Sequence, residues 1–113
     1  MHEYSIIQSL VDSVEIHAAR HPNAAVKRLR VSIGELSGVD ATLLATAYEV
    51  FRFGTICDDA VLDIVPVAAR WSCVRCGGEI PKGEVLRCGP CDAEAKLTAG
   101  DEILLDQIEL EVQ

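Results

Sequence analysis

Two C-x-x-C pairs, Cys73-Val-Arg-Cys76 and Cys88-Gly-Pro-Cys91, stand eleven residues apart and constrain this chain more than any other feature. Each pair can bring two thiolate sulfurs to about 2.3 Å from one zinc ion, and two pairs complete a tetrathiolate tetrahedron with no open position. The stretch between them, Gly77-Gly-Glu-Ile-Pro-Lys-Gly83, holds the glycines and proline that two tight metal knuckles and a connecting turn require. The same four residues also read as incidental thiols or as two disulfides. A disulfide within C-x-x-C is strained and redox-active, and no secretory context accompanies these cysteines, so structural Zn(II) on Cys73, Cys76, Cys88 and Cys91 is the expectation. A metal staple of this kind organises a fold without defining an activity.

The bulk of the chain sets limits around that staple. Its 113 residues suffice for one small domain, or for a domain with an appended module. Half are hydrophobic, which allows a modest core, but the cysteine region is poor in apolar residues and relies on metal in place of a core. The formal charge of −8 argues against a nucleic-acid partner, whose phosphates demand a basic face. No apolar run approaches the ~20 residues that cross a bilayer, and no basic-then-apolar leader opens the chain. Membrane association is therefore not expected, and cysteines in a metal pattern fit a reducing, cytoplasmic setting.

Periodicity then assigns the elements. From Tyr4, the positions Ile6, Ile7, Leu10, Val11, Val14 and Ala18 recur at helical spacing up to His21-Pro22-Asn23. Leu29, Val31 and Ile33 alternate with Arg28, Arg30 and Ser32, as in a half-buried strand. After the loop Gly34-Glu-Leu-Ser-Gly38, Asp40 is placed to cap a helix carrying Leu43, Leu44, Ala47, Tyr48, Val50 and Phe51 and stopping at Gly54. A second strand runs from Val61 to Val67, with Pro66 pointing to an edge. In the last segment Leu104, Ile108, Leu110 and Val112 are expected on one face of a final strand, with Gln107, Glu109 and Glu111 opposite. The expected fold class is α+β: a small three-stranded sheet with two helices, plus an inserted tetracysteine zinc-ribbon-like module. Residues 1–70 and 99–113 would form one domain and residues 71–98 the zinc module.

The opening Met1-His2-Glu3 is a second chemical feature. An α-amine, a backbone amide nitrogen and an imidazole can wrap one metal ion in fused chelate rings, and Glu3 can complete a tetragonal N/O set suited to Ni(II) or Cu(II). The initiator methionine should stay, because its peptidase accepts only small second residues. Taken alone, an early histidine is more often merely solvated. Elsewhere the plain readings dominate. Cys57 is an inert thiol before the second strand, and His17 and His21 are surface or helix-end residues. Asp40 is a cap, Trp71 packs the base of the zinc module against the sheet, and Glu109 and Glu111 are solvated. No nucleophile with a histidine and an orienting acid, no phosphate loop and no dinucleotide fingerprint is present, and a zinc saturated by thiolates is closed to Lewis-acid work. The chain reads as a non-enzyme.

Met1-His2-Glu3-Tyr4-Ser5, Gly34-Glu-Leu-Ser-Gly-Val39, the Tyr48-to-Thr55 helix end and the paired C-x-x-C motifs together resemble the hydrogenase-maturation nickel chaperones, the HypA/HybF family. The resemblance spans nearly the whole chain. It implies a nickel site of Met1, His2 and Glu3, with His2 as side-chain ligand, and a structural zinc on the four cysteines. It also implies Ni(II) as transported cargo, delivery to the [NiFe]-hydrogenase large subunit, and work alongside a hydrogenase-maturation GTPase as a monomer or weak homodimer. Two departures stand out. Gly77 and Asp92 follow the cysteine pairs where some members have histidine, and the second pair reads Cys-Gly-Pro-Cys rather than Cys-Pro-x-Cys. The competing readings are a zinc-ribbon adaptor that only binds proteins, and a dithiol redox protein using the cysteines catalytically.

Overall fold

The computed structural model describes residues 3–81, 83 and 85–112. Helix α1, Glu3–Ala18, turns Ile7, Leu10, Val11, Val14 and Ala18 inward, with Glu3 in its first turn and His17 in its last, both favourable to the helix dipole. Asn23, at φ 68°, makes the left-handed step that asparagine tolerates and starts the return as strand β1, Ala24–Gly34. Helix α2, Ala41–Phe51, begins under the Asp40 carboxylate, which accepts from the backbone N–H of Thr42 at 2.8 Å and of Leu43 at 3.1 Å. Strand β2, Val61–Val67, then lies parallel to β1, as a crossover through a helix allows.

The three-stranded sheet has the order β2-β1-β7, where β7 is Ile103–Val112 and pairs antiparallel to β1. Because β2 is an edge, Pro66 costs the sheet no ladder bond on its outer side. The core lies between this sheet and the helices. Ile7, Leu29, Val31, Leu44 and Tyr48 are among its fully buried side chains. On the opposite face of the sheet Arg28 pairs with Asp63 at 2.6 Å and reaches Glu109 at 3.8 Å, and Ser32 hydrogen-bonds Asp106, beside the exposed Val61 and Val65.

The facing expected for β7 needs correction. Ile108 and Leu110 do pack on the core, but so do Ile103 and Leu105, whereas Leu104 is 48% exposed and Val112 71% exposed. Arg30 pairs with Gln107 and Val31 with Leu105, so Asp106 is an extra residue that shifts the register. A bulge of this kind reverses which parity of residues points inward, and the rest of the strand is out of phase with a simple alternation. A matching shift on β1, between Val26 and Arg28, moves the inward parity from Val26 to Leu29, Val31 and Ile33.

Between β2 and β7 the chain builds a second sheet of order β4-β3-β6-β5, from β3 (Arg70–Cys73), β4 (Glu79–Ile80), β5 (Arg87–Cys88) and β6 (Ala93–Ala99). Its core is small: Cys73, Ile80 and Ala93 are buried, and Trp71 packs against them. Trp71 therefore serves the module's own interior, whereas the sequence places it between the base of the module and the larger sheet. A short segment cannot close around two facing sheets, so its one large aromatic goes to the nearest apolar cluster. The two sheets lie end to end in a molecule measuring 57 × 26 × 16 Å.

Candidate metal centre

The four cysteines meet at the end of the second sheet. Cys73 closes β3, Cys88 closes β5, and Cys76 and Cys91 sit in the turns that follow. Their sulfurs all lie within 4.8 Å of one another, and Cys76 and Cys88 are 3.9 Å apart. A regular tetrahedron of sulfurs around zinc has edges of about 3.8 Å, so the donor set fits a tetrahedral, thiolate-binding cation.

The first turn is built as a metal knuckle. The backbone N–H groups of Arg75 and Cys76 donate to the Cys73 sulfur at 3.3 and 3.4 Å, and that of Gly78 donates to the Cys76 sulfur at 3.4 Å. Such donors stabilise thiolate over thiol, and they require the chain to reverse tightly after Cys76. Gly77 does so at φ 76°, and Asp92, at the same place after Cys91, takes φ 48°. The two residues that depart from a histidine pattern are thus the ones that adopt left-handed backbone, which glycine and aspartate accept more readily than most. Asp92 is held there by Arg87, whose Nε donates to its carboxylate at 2.8 Å and whose terminal nitrogen donates to its carbonyl at 3.0 Å. Nothing in the spacing of the motif announces this brace. Its only trace in the sequence is a basic residue before Cys88 and an acidic one after Cys91.

The thiols feel one another strongly. Backbone donation from Cys76 and Arg75 pulls the Cys73 thiol down to about 6, while the neighbouring sulfur of Cys76 and partial burial push Cys91 up. One anion forms readily at Cys73, while Cys88 and Cys91 hold their protons more tightly than free thiols. A bound divalent cation would reverse that balance by favouring the thiolate form of all four, which is the electrostatic sense of a tetrathiolate set. Cys73 is 1% exposed and packs into the module's interior, so the cluster is also part of what holds the small sheet together.

Met1 and His2 lie outside the described residues. Glu3 is described: it opens α1 and is partly exposed. The start of α1 sits beside Ile103, since Ser5, Ile6 and Ser9 line a groove with Ile103 and Leu105. His17 lies at the other end of α1, its Nδ1–H donating to the Ser13 carbonyl at 2.7 Å, and His17, Arg20 and His21 line a separate concavity against β7. Neither histidine joins a cluster able to hold a metal among the described residues. Cys57 is fully buried, and burial raises its thiol to about 11, as expected of an inert core sulfur. Beside it the Tyr48 hydroxyl donates to the Ala60 carbonyl at 2.7 Å, a buried bond that periodicity alone does not reveal.

With this geometry in place, comparison with known proteins is informative. A family profile described as "Hydrogenase/urease nickel incorporation, metallochaperone, hypA" matches residues 1–110. The hydrogenase maturation factor HypA of Shewanella halifaxensis is 37% identical over 115 residues, covering 98% of each chain. The solution structure of the Ni metallochaperone HypA from Helicobacter pylori superposes with a TM-score of 0.73 at 33% identity, over the whole of both chains. A second solution structure of a HypA protein gives 0.81 at 32% identity, covering all of this chain and 98% of its own. The chain belongs to the HypA family of hydrogenase/urease nickel-incorporation metallochaperones.

Proposed function

We propose that this chain binds Ni(II) through the Met1 amine, His2 and Glu3, carries it, and helps insert it into the large subunit of a [NiFe]-hydrogenase. A maturation GTPase is its working partner. The observation that carries this reading is the closed tetracysteine cluster: with its sulfurs all within 4.8 Å, one tetrahedral cation uses every donor and leaves nothing for cargo. Nickel, which favours nitrogen donors in tetragonal geometry, needs a separate site, and the Met1-His2-Glu3 start supplies those donors. Zn(II) on Cys73, Cys76, Cys88 and Cys91 is then structural. Residues 1–70 and 99–113 act as the nickel-binding domain and residues 71–98 as the zinc module.

The chain works without turnover in this reading. Loading and release follow from protonation, since the amine and imidazole coordinate only when neutral. No helix among the described residues is long and apolar enough to cross a membrane, which accords with work in the cytoplasm. A zinc-ribbon adaptor without nickel delivery leaves the Met1-His2-Glu3 start without a purpose and is not favoured.

The test is a nickel titration of the zinc-loaded chain with its native N-terminus, beside His2→Ala and a version carrying a tag ahead of Met1. About one equivalent of Ni(II) should bind to the first and both changes should weaken it, the tag because it converts the amine to an amide. Unchanged affinity in both altered proteins refutes the N-terminal site.

A further inference from the structure

The stretch Gly34-Glu-Leu-Ser-Gly38 supplies no ligand to the tetracysteine cluster, yet its first three residues lace together the two chain crossings that join the sheets. Only Ala68 and Ala69 separate β2 from β3, and only Gly100, Asp101 and Glu102 separate β6 from β7. Glu35 grips the outgoing crossing twice: its backbone N–H donates to the Val67 carbonyl at 2.8 Å, and its Oε1 accepts from the Ala69 N–H at 2.9 Å. Its neighbours grip the returning crossing. Gly34 N–H donates to the Glu102 carbonyl at 2.8 Å, and Leu36 N–H to the Gly100 carbonyl at 2.6 Å. Ala69 belongs to neither strand and is 3% exposed, so its N–H has no ladder partner and needs the carboxylate.

Packing at this neck leaves no slack. A Cβ on Gly34 would collide with the backbone of Gly100, and a Cβ on Gly100, itself at φ 97°, would collide with the backbone of Ala69. The end of β1 and the two crossings are thus pressed backbone to backbone, where hinges ordinarily have solvated, loosely bonded chain. The start of α1 lies at this same end of the larger sheet, because Ser5 and Ile6 border Ile103, the first residue of β7.

We infer that Glu35 is a positioning residue: with Gly34 and Gly100 it locks the neck, so that the tetracysteine module and the beginning of α1 are held in one fixed relation. In a carrier this sets where the metal-stapled module stands when the N-terminus meets a receiving protein. The inference deepens the function proposed above, but its test involves no nickel, so the two stand or fall separately.

The experiment uses the full-length, zinc-loaded chain in weakly aligning medium, with residual dipolar couplings measured in both sheets and amide exchange at Ala69. A locked neck gives one alignment tensor for both modules, and Ala69 is protected. Glu35→Ala should split the tensor, reduce the alignment of the tetracysteine module by about twofold or more relative to the larger sheet, and speed Ala69 exchange about tenfold or more. Amides of Leu29 and Val31 should keep their protection. Glu35→Gln, which retains an oxygen acceptor at Oε1, should restore both readouts. Gly100→Ala should split the tensor as Glu35→Ala does, through collision with Ala69. Two independent tensors in the unaltered chain overturn the inference, and that measurement decides alone if Glu35→Ala fails to fold. Unchanged Ala69 exchange and a single tensor in a folded Glu35→Ala chain overturn it equally.

Discussion

Tyr48→Phe is a clean probe of how the segment between α2 and β2 is held. Tyr48 is 1% exposed, so replacement by phenylalanine keeps the ring's packing and removes one oxygen. That oxygen donates to the Ala60 carbonyl at 2.7 Å and lies 3.4 Å from the Cys57 carbonyl, a distance at which little bonding remains. The loss is thus essentially one buried bond, with the Ala60 carbonyl left without its donor, a change that costs about 1–3 kcal/mol. With unfolding entropy near 2.1 cal/mol/K per residue over most of the chain, each kcal/mol lowers Tm by about 4–6 °C, so a loss of about 2 kcal/mol predicts a fall of about 8–12 °C. The assay is thermal unfolding of the zinc-loaded chain followed by circular dichroism at the helical minimum. Both helices belong to the half of the molecule that contains Tyr48, so the signal reports the relevant core. The urea slope should not change, because the surface exposed on unfolding is the same. A fall of less than about 2 °C would refute the claim that this hydroxyl ties Ala60 to α2.

Two further outcomes follow from the same structure. Because burial raises Cys57 to about 11 from an ordinary value of 9.0, the unfolded chain loses this proton first as pH rises; the thiol's stabilising contribution is complete below pH 9 and is lost between pH 9 and about 11. Urea titrations across that range should show the decline in the parent chain and a shallower one in Cys57→Ala. Removing metal with a chelator, or Cys73→Ala, should erase amide protection in β3 to β6 while the helical signal and the protection of Leu29 and Val31 persist, since among the described residues the small cluster of the second sheet buries only Cys73, Ile80 and Ala93. Joint collapse of both sheets would refute the independence of the larger core.

The order of elements was legible because it rests on strong local signals. The i, i+3, i+4 spacing in α1, the alternation in β1, Asp40 before α2 and Pro66 at an edge each have a near-neighbour physical cause, and all appear in the fold. The cysteine cluster was legible for a different reason, because metal spacing encodes a three-dimensional contact directly in the sequence. What escaped is non-local. The extra residue at Asp106 is visible only against its partner strand, and simple alternation therefore groups Leu104 with Ile108 and Leu110 and leaves Ile103 out. The packing of Trp71 is equally hidden, because its neighbours Ile80 and Ala93 are brought near by the cysteines rather than by periodicity. Similarly, Arg87 and Asp92 flank different cysteine pairs, and only the closed knuckles make them neighbours.

The end-to-end arrangement of the sheets bears on how many copies of the chain solution methods will count. Its radius of gyration is 18.0 Å, whereas a compact chain of 113 residues has about 13 Å and one of 18 Å has about 250 residues. A single copy is therefore more extended than a globular protein of its mass, and it diffuses more slowly and elutes earlier than one. Size-exclusion against globular standards would overstate the mass of a monomer and so lean towards a larger assembly. Light scattering or sedimentation equilibrium, which weigh the particle irrespective of its shape, separates the elongated monomer from a true pair.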